Sequence, residues 1–158
     1  MPTFRHGKNT GFKLNDSAGV VRTLSDIIED VSFPRSIDAS ETTSFGSSAK
    51  TYIAGLQDTK ITIKGKFDAT ASTGIDTVIP AIITAQDAGT ITVGTATPPN
   101  TVNTVGFSYA PEGFTSSRVL YTGQALVTSY EVSSPVADVV SFSLELQVSG
   151  AVTKGTVA

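Results

Sequence analysis

A mainly β domain built from antiparallel hairpins, with one flanking α-helix, is the fold class this sequence predicts. Three observations carry it. Apolar and polar residues alternate with period two in several segments. Turn-forming clusters separate those segments. Apolar residues recur at helical spacing over one longer stretch only. Alternation with period two puts one side of a strand in a core and the other in water, whereas a helix needs apolar residues every three to four positions.

Taken in order, residues 11–15 and 20–24 flank Asp16-Ser17-Ala18-Gly19, a hairpin signal. Ser25 then suits the cap of a short helix over residues 26–30, whose acids Asp26, Glu29 and Asp30 complement the positive end of a helix. Residues 38–50 are polar and patternless apart from Phe45, so they read as a long loop. From 60 to 67, Ile61, Ile63 and Phe67 share one strand face, and Thr62, Lys64 and Lys66 the other. Ile75, Ile79, Ile82 and Gln86 lie at helical spacing, widened by Ile83. With Thr77 as N-cap, Pro80 falls in the first turn, where its missing N–H costs little, and Asp87-Ala88-Gly89 ends the helix. Residues 95–104 form a Thr/Pro/Asn linker. Residues 118–132 make a long strand whose apolar parity changes between Ala125 and Tyr130, which predicts a bulge near Gly123. After a turn at 133–138, Val140, Phe142, Leu144, Leu146 and Val148 alternate with Ser141, Ser143, Glu145 and Gln147.

The 158 residues fit a single domain, 1–158, with an N-terminal arm at 1–9, the long loop at 38–50 and a C-terminal arm at 150–158. Only 16% of residues are charged, against a usual ~25%, so a surface rich in Ser and Thr either needs another way to stay soluble or expects cover by partners. The net charge of -3 and a pI near 5.0 argue against a duplex-binding protein. Zero Cys excludes disulfides, thiolate metal sites and cysteine nucleophiles, and a single His excludes a His-rich metal site. The first residues lack an apolar leader core, and no run approaches the ~20 apolar residues that span a bilayer. A protein made and kept soluble, without membrane insertion, is the expectation.

No catalytic constellation emerges. Ser47-Ser48-Ala49-Lys50 matches the S-x-x-K pattern of serine acyl enzymes, but the accompanying elements are absent, since Lys154-Gly155-Thr156 runs in the wrong order. His6 has no second ligand and reads as solvated. Asp26, Glu29 and Asp30 read as a solvated face. Lys60, Lys64 and Lys66 form a basic stripe without interleaved aromatic residues, so it reads as a solvated or edge-protecting strand face rather than a nucleic-acid platform. The expectation is a non-enzymatic protein without cofactor or metal. Charge is unevenly distributed: beyond Asp68, only Arg118 and Lys154 oppose Asp76, Asp87, Glu112, Glu131, Asp138 and Glu145.

The order of residues carries a resemblance. Asp30-Val31-Ser32-Phe33-Pro34-Arg35-Ser36-Ile37-Asp38, Glu41-Thr42-Thr43-Ser44-Phe45-Gly46, Tyr52-Ile53-Ala54-Gly55-Leu56-Gln57-Asp58 and Ile61-Thr62-Ile63-Lys64-Gly65-Lys66-Phe67-Asp68 follow one another. Later come Phe107-Ser108-Tyr109-Ala110-Pro111-Glu112-Gly113, Tyr121-Thr122-Gly123-Gln124-Ala125 and Ser129-Tyr130-Glu131-Val132. Over most of its length the chain resembles the major tail tube proteins of long-tailed bacteriophages, particularly those of actinobacterial hosts.

That resemblance implies a β-sandwich or barrel-like domain with a flanking helix, self-assembled into hexameric rings that stack into a tube for DNA delivery. Its partners would be further copies of itself, the tape measure, terminator and distal tail proteins, and DNA in transient, non-specific passage. Its place would be the virion tail, assembled in the bacterial cytoplasm. In that setting the 38–50 loop, with Glu41, Phe45, Ser47 and Lys50, together with the two termini, is the candidate ring-stacking element. Glu131, Asp138 and Glu145, from the acidic half, are the candidate lumen-facing charges, because a channel for DNA should not grip phosphate. An Ig-like virion decoration module, a tail terminator or another tail-accessory binding module is the alternative. A small β-barrel enzyme or ligand carrier would need a pocket that the motifs do not supply.

Overall fold

The computed structural model describes residues 2–94 and 96–158. Its strands are β1 (Gly11–Asn15), β2 (Val21–Thr23), β3 (Ile28–Ser32), β4 (Ser36–Glu41), β5 (Tyr52–Asp58), β6 (Lys60–Lys66), β7 (Val105–Ala110), β8 (Val119–Ser133) and β9 (Ser141–Thr156), with one helix, α1 (Ile75–Ala88), between β6 and β7. Seven strands form an antiparallel sheet in the order β2-β1-β7-β8-β9-β6-β3, while β4 and β5 pair separately as a ribbon. The sheet curls into a half-barrel, so the mainly β, barrel-like class with one flanking helix holds.

Alternation explains why the sheet closes on one side. Ile61 and Ile63 of β6, Phe142, Leu144 and Leu146 of β9, Val105 and Phe107 of β7, and Phe12 and Leu14 of β1 are all buried. They join Ile75, Val78, Ile79 and Ile82, the stripe of α1, in one core. Burying this many branched and aromatic side chains, at roughly 1.5–3 kcal/mol each, is the main stabilising force. The β1–β2 turn is held by Asp16, whose Oδ1 accepts the N–H groups of Ala18 and Val20, both at 2.9 Å, while Oδ2 takes the Arg22 guanidinium at 2.9 Å. Gly19, at φ +82°, supplies the left-handed residue that this turn requires.

Several expectations are corrected. Residues 26–30 form no helix: residues 25–27 are a turn, and Ile28, Glu29 and Asp30 open β3. Ser25 instead pins that turn to β1, its hydroxyl accepting the Phe12 N–H at 3.0 Å. Local capping potential lost to a ladder with β6, in which Asp30 pairs with Lys64 and Val31 with Ile63.

Helix α1 starts a turn earlier than its cap signal suggested. Gly74 is the N-cap, Thr77 lies inside and donates its hydroxyl to Thr70 O at 3.2 Å, and Pro80 is interior. The end is as expected, with Gly89 left-handed at φ 67° and its N–H returned to Ala85 O and Gln86 O. Burial of Ile75 and Val78 draws the helix back past the proline.

The 38–50 segment divides: residues 38–41 belong to β4, and 42–51 connect it to β5. The expected C-terminal arm is mostly strand, because β9 continues to Thr156 and pairs there with Val119. Of the N-terminal arm, Gly7–Asn9 is a single 3-10 turn, and Met1 lies outside the described residues. Thr95, at the start of the 95–104 linker, also lies outside them.

The β8–β9 register does break at Gly123, where residues 150–152 of β9 oppose that glycine alone. The parity change has another cause. A second shift leaves Thr128 unpaired between Val127↔Leu146 and Ser129↔Glu145, which turns Tyr130 rather than Ser129 toward the core side.

Candidate functional site

Two surfaces gather the residues singled out from the sequence. The first is the β4–β5 ribbon, which stands apart from the sheet with every residue exposed. Cross-strand pairs Ile37↔Gln57 and Glu41↔Tyr52 share one face, and Ser40↔Ile53 the other, where alternation also puts Leu56. Ile37, Tyr52, Ile53 and Leu56 thus expose apolar surface on both faces, Leu56 at 80%. Sequence reasoning passed over Tyr52, Ile53 and Leu56 because β5 lacks alternation: both of its faces carry apolar residues.

The connecting loop is ordered by its own polar groups. Thr42 N–H donates to Thr51 O at 2.8 Å, Thr51 N–H to Thr43 Oγ1 at 3.1 Å, and Ser47 N–H to Ser44 O at 3.2 Å. Lys50 Nζ lies 3.5 Å from Glu41 Oε2, so these two candidates close the neck of the loop. Ser47 and Lys50 are therefore placed as turn and ion-pair residues. Phe45 is fully exposed at the tip.

The second surface is the polar side of the sheet, opposite the core. Because cross-strand partners share a face, β6 contributes Lys60, Thr62, Lys64 and Lys66, and β9 contributes Ser141, Ser143, Glu145 and Gln147. Ser129 and Glu131 of β8 and Asp30 of β3 join them. The structure brings the basic stripe and two lumen candidates, Glu131 and Glu145, onto one wall. Lys60 Nζ sits 3.0 Å from Glu145 Oε2, and Lys66 Nζ 2.8 Å from Glu29 Oε1. The hydrogen bond to Glu29, then its charge, raises the Lys66 ammonium above its ordinary value. Asp138 lies in the β8–β9 turn, its Oδ1 accepting the Val139 N–H at 2.7 Å. The wall is therefore of mixed charge. Adjacency of β6 and β9 sets the lysine stripe of the near-neutral first half of the chain beside carboxylates of the acidic second half, which a linear charge count could not reveal.

His6 is exposed, and its Nδ1 accepts the Lys8 N–H at 3.1 Å. Among the described residues, no three His, Asp or Glu side chains gather as metal ligands, and no helix is long and apolar enough to cross a membrane. A cleft of about 490 Å³ between the N-terminal turn and β3, lined by His6, Lys8, Ser25, Glu29, Asp30 and Tyr109 among others, is open to solvent.

No protein-family model and no curated protein matches the sequence. Solved structures do. The tail of an empty gene transfer agent particle, refined with C6 helical symmetry, matches 97% of this chain and 100% of its own, at 18% identity and a TM-score of 0.69. The SPP1 tail tube matches 97% and 80%, at 14% identity and 0.67. The sheath–tube complex of an extracellular contractile injection system matches 99% and 92%, at 16% identity and 0.57. The chain has the fold that these tail and tube structures share.

Proposed function

We propose that this protein is a structural subunit of a phage-type tail tube, assembling with copies of itself into stacked hexameric rings that conduct DNA into the host. The single observation behind this reading is the β4–β5 ribbon. A two-stranded ribbon is marginal in water by itself, and this one exposes Ile37, Tyr52, Ile53 and Leu56 on its two faces with Phe45 at its tip. Copies of the same chain supply the cover, and the shared fold supplies the mode.

In this reading Glu41, Phe45, Ser47 and Lys50 make the ring-stacking contact, with Phe45 as the apolar anchor. The polar wall bearing Glu131 and Glu145, with Asp138 at its rim, faces the channel. Tape measure, terminator and distal tail proteins are the further partners, the virion tail is the location, and assembly takes place in the bacterial cytoplasm. The long tail and the actinobacterial host rest on the order of residues from Asp30 to Asp68.

Negative-stain electron microscopy of the purified chain across a concentration series tests the proposal, alongside a deletion of residues 44–48. Tubes with a central channel are expected from the wild type, and single rings or short stacks from the deletion. A wild type that stays monomeric even with a tail initiator present would overturn the reading.

A further inference from the structure

The β8–β9 hairpin holds its cations at one end and its carboxylates at the other. Beyond Asp68 the chain has only two cationic residues, Arg118 and Lys154. Both lie at the open end of the hairpin: Lys154 pairs with Tyr121, and Arg118 O accepts the Val157 N–H at 2.8 Å. The three carboxylates lie toward the turn, with Glu145 opposite Ser129, Glu131 opposite Ser143, and Asp138 in the turn itself. The 15 residues of β8 separate the two ends by roughly 45 Å, at ~3.3 Å per residue.

The two ends also differ in shape. The turn end is a knob: residues 133–139 are all exposed, Val136 completely and Val139 by 55%. Asp138 accepts the Val139 N–H through Oδ1 and, among the described residues, forms no ion pair. The open end holds a hollow of about 360 Å³ lined by Arg5, Asn9, Glu112, Phe114, Thr115 and Arg118. Phe114 is a fixed apolar wall of this hollow. It packs over Gly11, where a Cβ would stand 2.4 Å from its ring, and lies 4.2 Å from Lys13 Nζ at the ring centroid. Arg118 reaches Glu112 only at 3.7 Å, and Arg5 is exposed and forms no ion pair among the described residues. Two guanidinium groups against one carboxylate leave the hollow net positive.

Strands closed into a barrel tilt about 35–45° from its axis, so the two ends of this hairpin lie at opposite faces of a ring. Rotation about that axis and translation along it preserve strand direction. Stacking in one sense therefore brings the turn of each copy to the open end of a copy in the adjoining ring. Stacking in the other sense sets Asp138 against Asp138, or Arg118 against Arg118, and like charges across a contact are penalised. We infer that the 134–139 turn of one copy seats in the Arg5–Phe114–Arg118 hollow of a copy in the adjoining ring, with Val136 against Phe114 and Asp138 against the guanidinium groups. This rests on the ring reading above and adds to it a joint separate from the 38–50 loop, one that selects the direction of stacking. Each contact is small, and its repetition around the ring multiplies it.

Because the chain has no Cys, an engineered pair reports the joint without background. Thr115 and Val136 are exposed and stand at opposite ends of the hairpin, far beyond disulfide reach within one copy. The full-length Thr115→Cys/Val136→Cys protein, assembled and treated with oxidant or a short bismaleimide, should give a covalent ladder that lengthens with the tubes, since each link joins one ring to the next. Val136→Cys alone should stay monomeric on the same gel; dimers from it would mean that turns meet turns, which overturns the joint. A ladder that stops at the ring size would place the contact within a ring and overturns it too. Asp138→Lys tests the charge. At about 0.1 M salt its tubes should be about threefold shorter than those of the wild type while single rings persist, and the gap should close near 1 M, where screening acts within ~3 Å. Equal lengths at the lower salt would remove the charge pairing. Tubes seen by microscopy together with monomers on the gel overturn the joint and leave the ring reading standing. Absence of both tubes and cross-links overturns the two together.

Discussion

Asn100 is the most informative single position for stability. It lies in the irregular segment before β7 and is completely buried. Its Nδ2 donates to Asp16 O at 2.8 Å, and its Oδ1 accepts the Gly106 N–H at 3.1 Å, which ties the β1–β2 turn, the linker and β7 together. Two further amides hold the same segment: Asn15 donates to Pro98 O and Gln124 to Pro99 O, each at 2.6 Å. In Asn100→Ala, Asp16 O keeps a second partner in the Gly19 N–H at 3.1 Å, but the Gly106 N–H is left buried without one. A net hydrogen bond is worth about 1 kcal/mol and an orphaned buried donor a further 1–3 kcal/mol, so the expected loss is about 3 kcal/mol. At roughly 2–4 °C per kcal/mol for a domain of this size, the melting temperature should fall by about 6–12 °C. Urea unfolding at a concentration too low for assembly measures it, with a lower midpoint and an unchanged m-value. A loss below about 1 kcal/mol would refute the claim that this buried amide organises the segment.

Three more outcomes follow from local geometry. A Cβ on Gly65 would stand 2.1 Å from Ile27 O and 2.9 Å from Ile28 Cα; Gly65→Ala should therefore cost about 2 kcal/mol or more through displaced β3 backbone, and a near-neutral urea midpoint would contradict it. Asp68 accepts hydrogen bonds from the Thr70 hydroxyl and N–H, which lower its pKa. That contribution is present above the ordinary carboxyl value of about 3.9 and is lost as pH falls through the depressed folded value, so the gap between wild type and Asp68→Asn should narrow over that acid range and stay constant near neutrality. Ile53→Ser with Leu56→Ser should leave subunit stability within about 0.5 kcal/mol per site, as for exposed positions, while tubes shorten or vanish by microscopy; unaltered tubes would remove the ribbon from the assembly.

Much of the sheet was legible because burial imposes period two directly on the chain: Ile61 and Ile63, and Phe142, Leu144 and Leu146, face the core where alternation put them. What was not legible depends on long-range pairing. Residues 26–30 carry good helix-capping chemistry, yet β6 recruits Ile28, Glu29 and Asp30 into a strand, and a ladder with residues 62–65 leaves no trace in local propensity. Thr77 offered a better cap side chain than Gly74, but the core position of Ile75 decided the helix start. The 38–50 segment stands out in the sequence by its odd composition, whereas the apolar residues of the ribbon do not, since two exposed faces erase the alternation that marks a half-buried strand.

The polar wall of the sheet shows how a linear reading of charge is altered by folding. From sequence, Glu131, Asp138 and Glu145 read as repellers of phosphate. On the sheet, Glu29, Asp30, Glu131 and Glu145 share a surface with Lys60, Lys64 and Lys66, four carboxylates against three ammonium groups, and Lys60 lies within 3.0 Å of Glu145. Such a face neither strongly repels nor binds a polyanion, and a carboxylate paired to a lysine acts mostly by occupying it. Glu145→Lys and Glu131→Lys each reverse the net sign of the wall, but only the first also strips Lys60 of its partner. Each lysine that reaches a phosphate adds about 0.9 to the slope of log affinity against log salt. If this wall faces the channel, both variants should form tubes, DNA should be retained in a salt-dependent way, and retention should be greater for Glu145→Lys. Normal infectivity of virions carrying either variant would place this wall away from the DNA path, because lysines repeated around a channel add salt-dependent attraction for a polyanion threading through it.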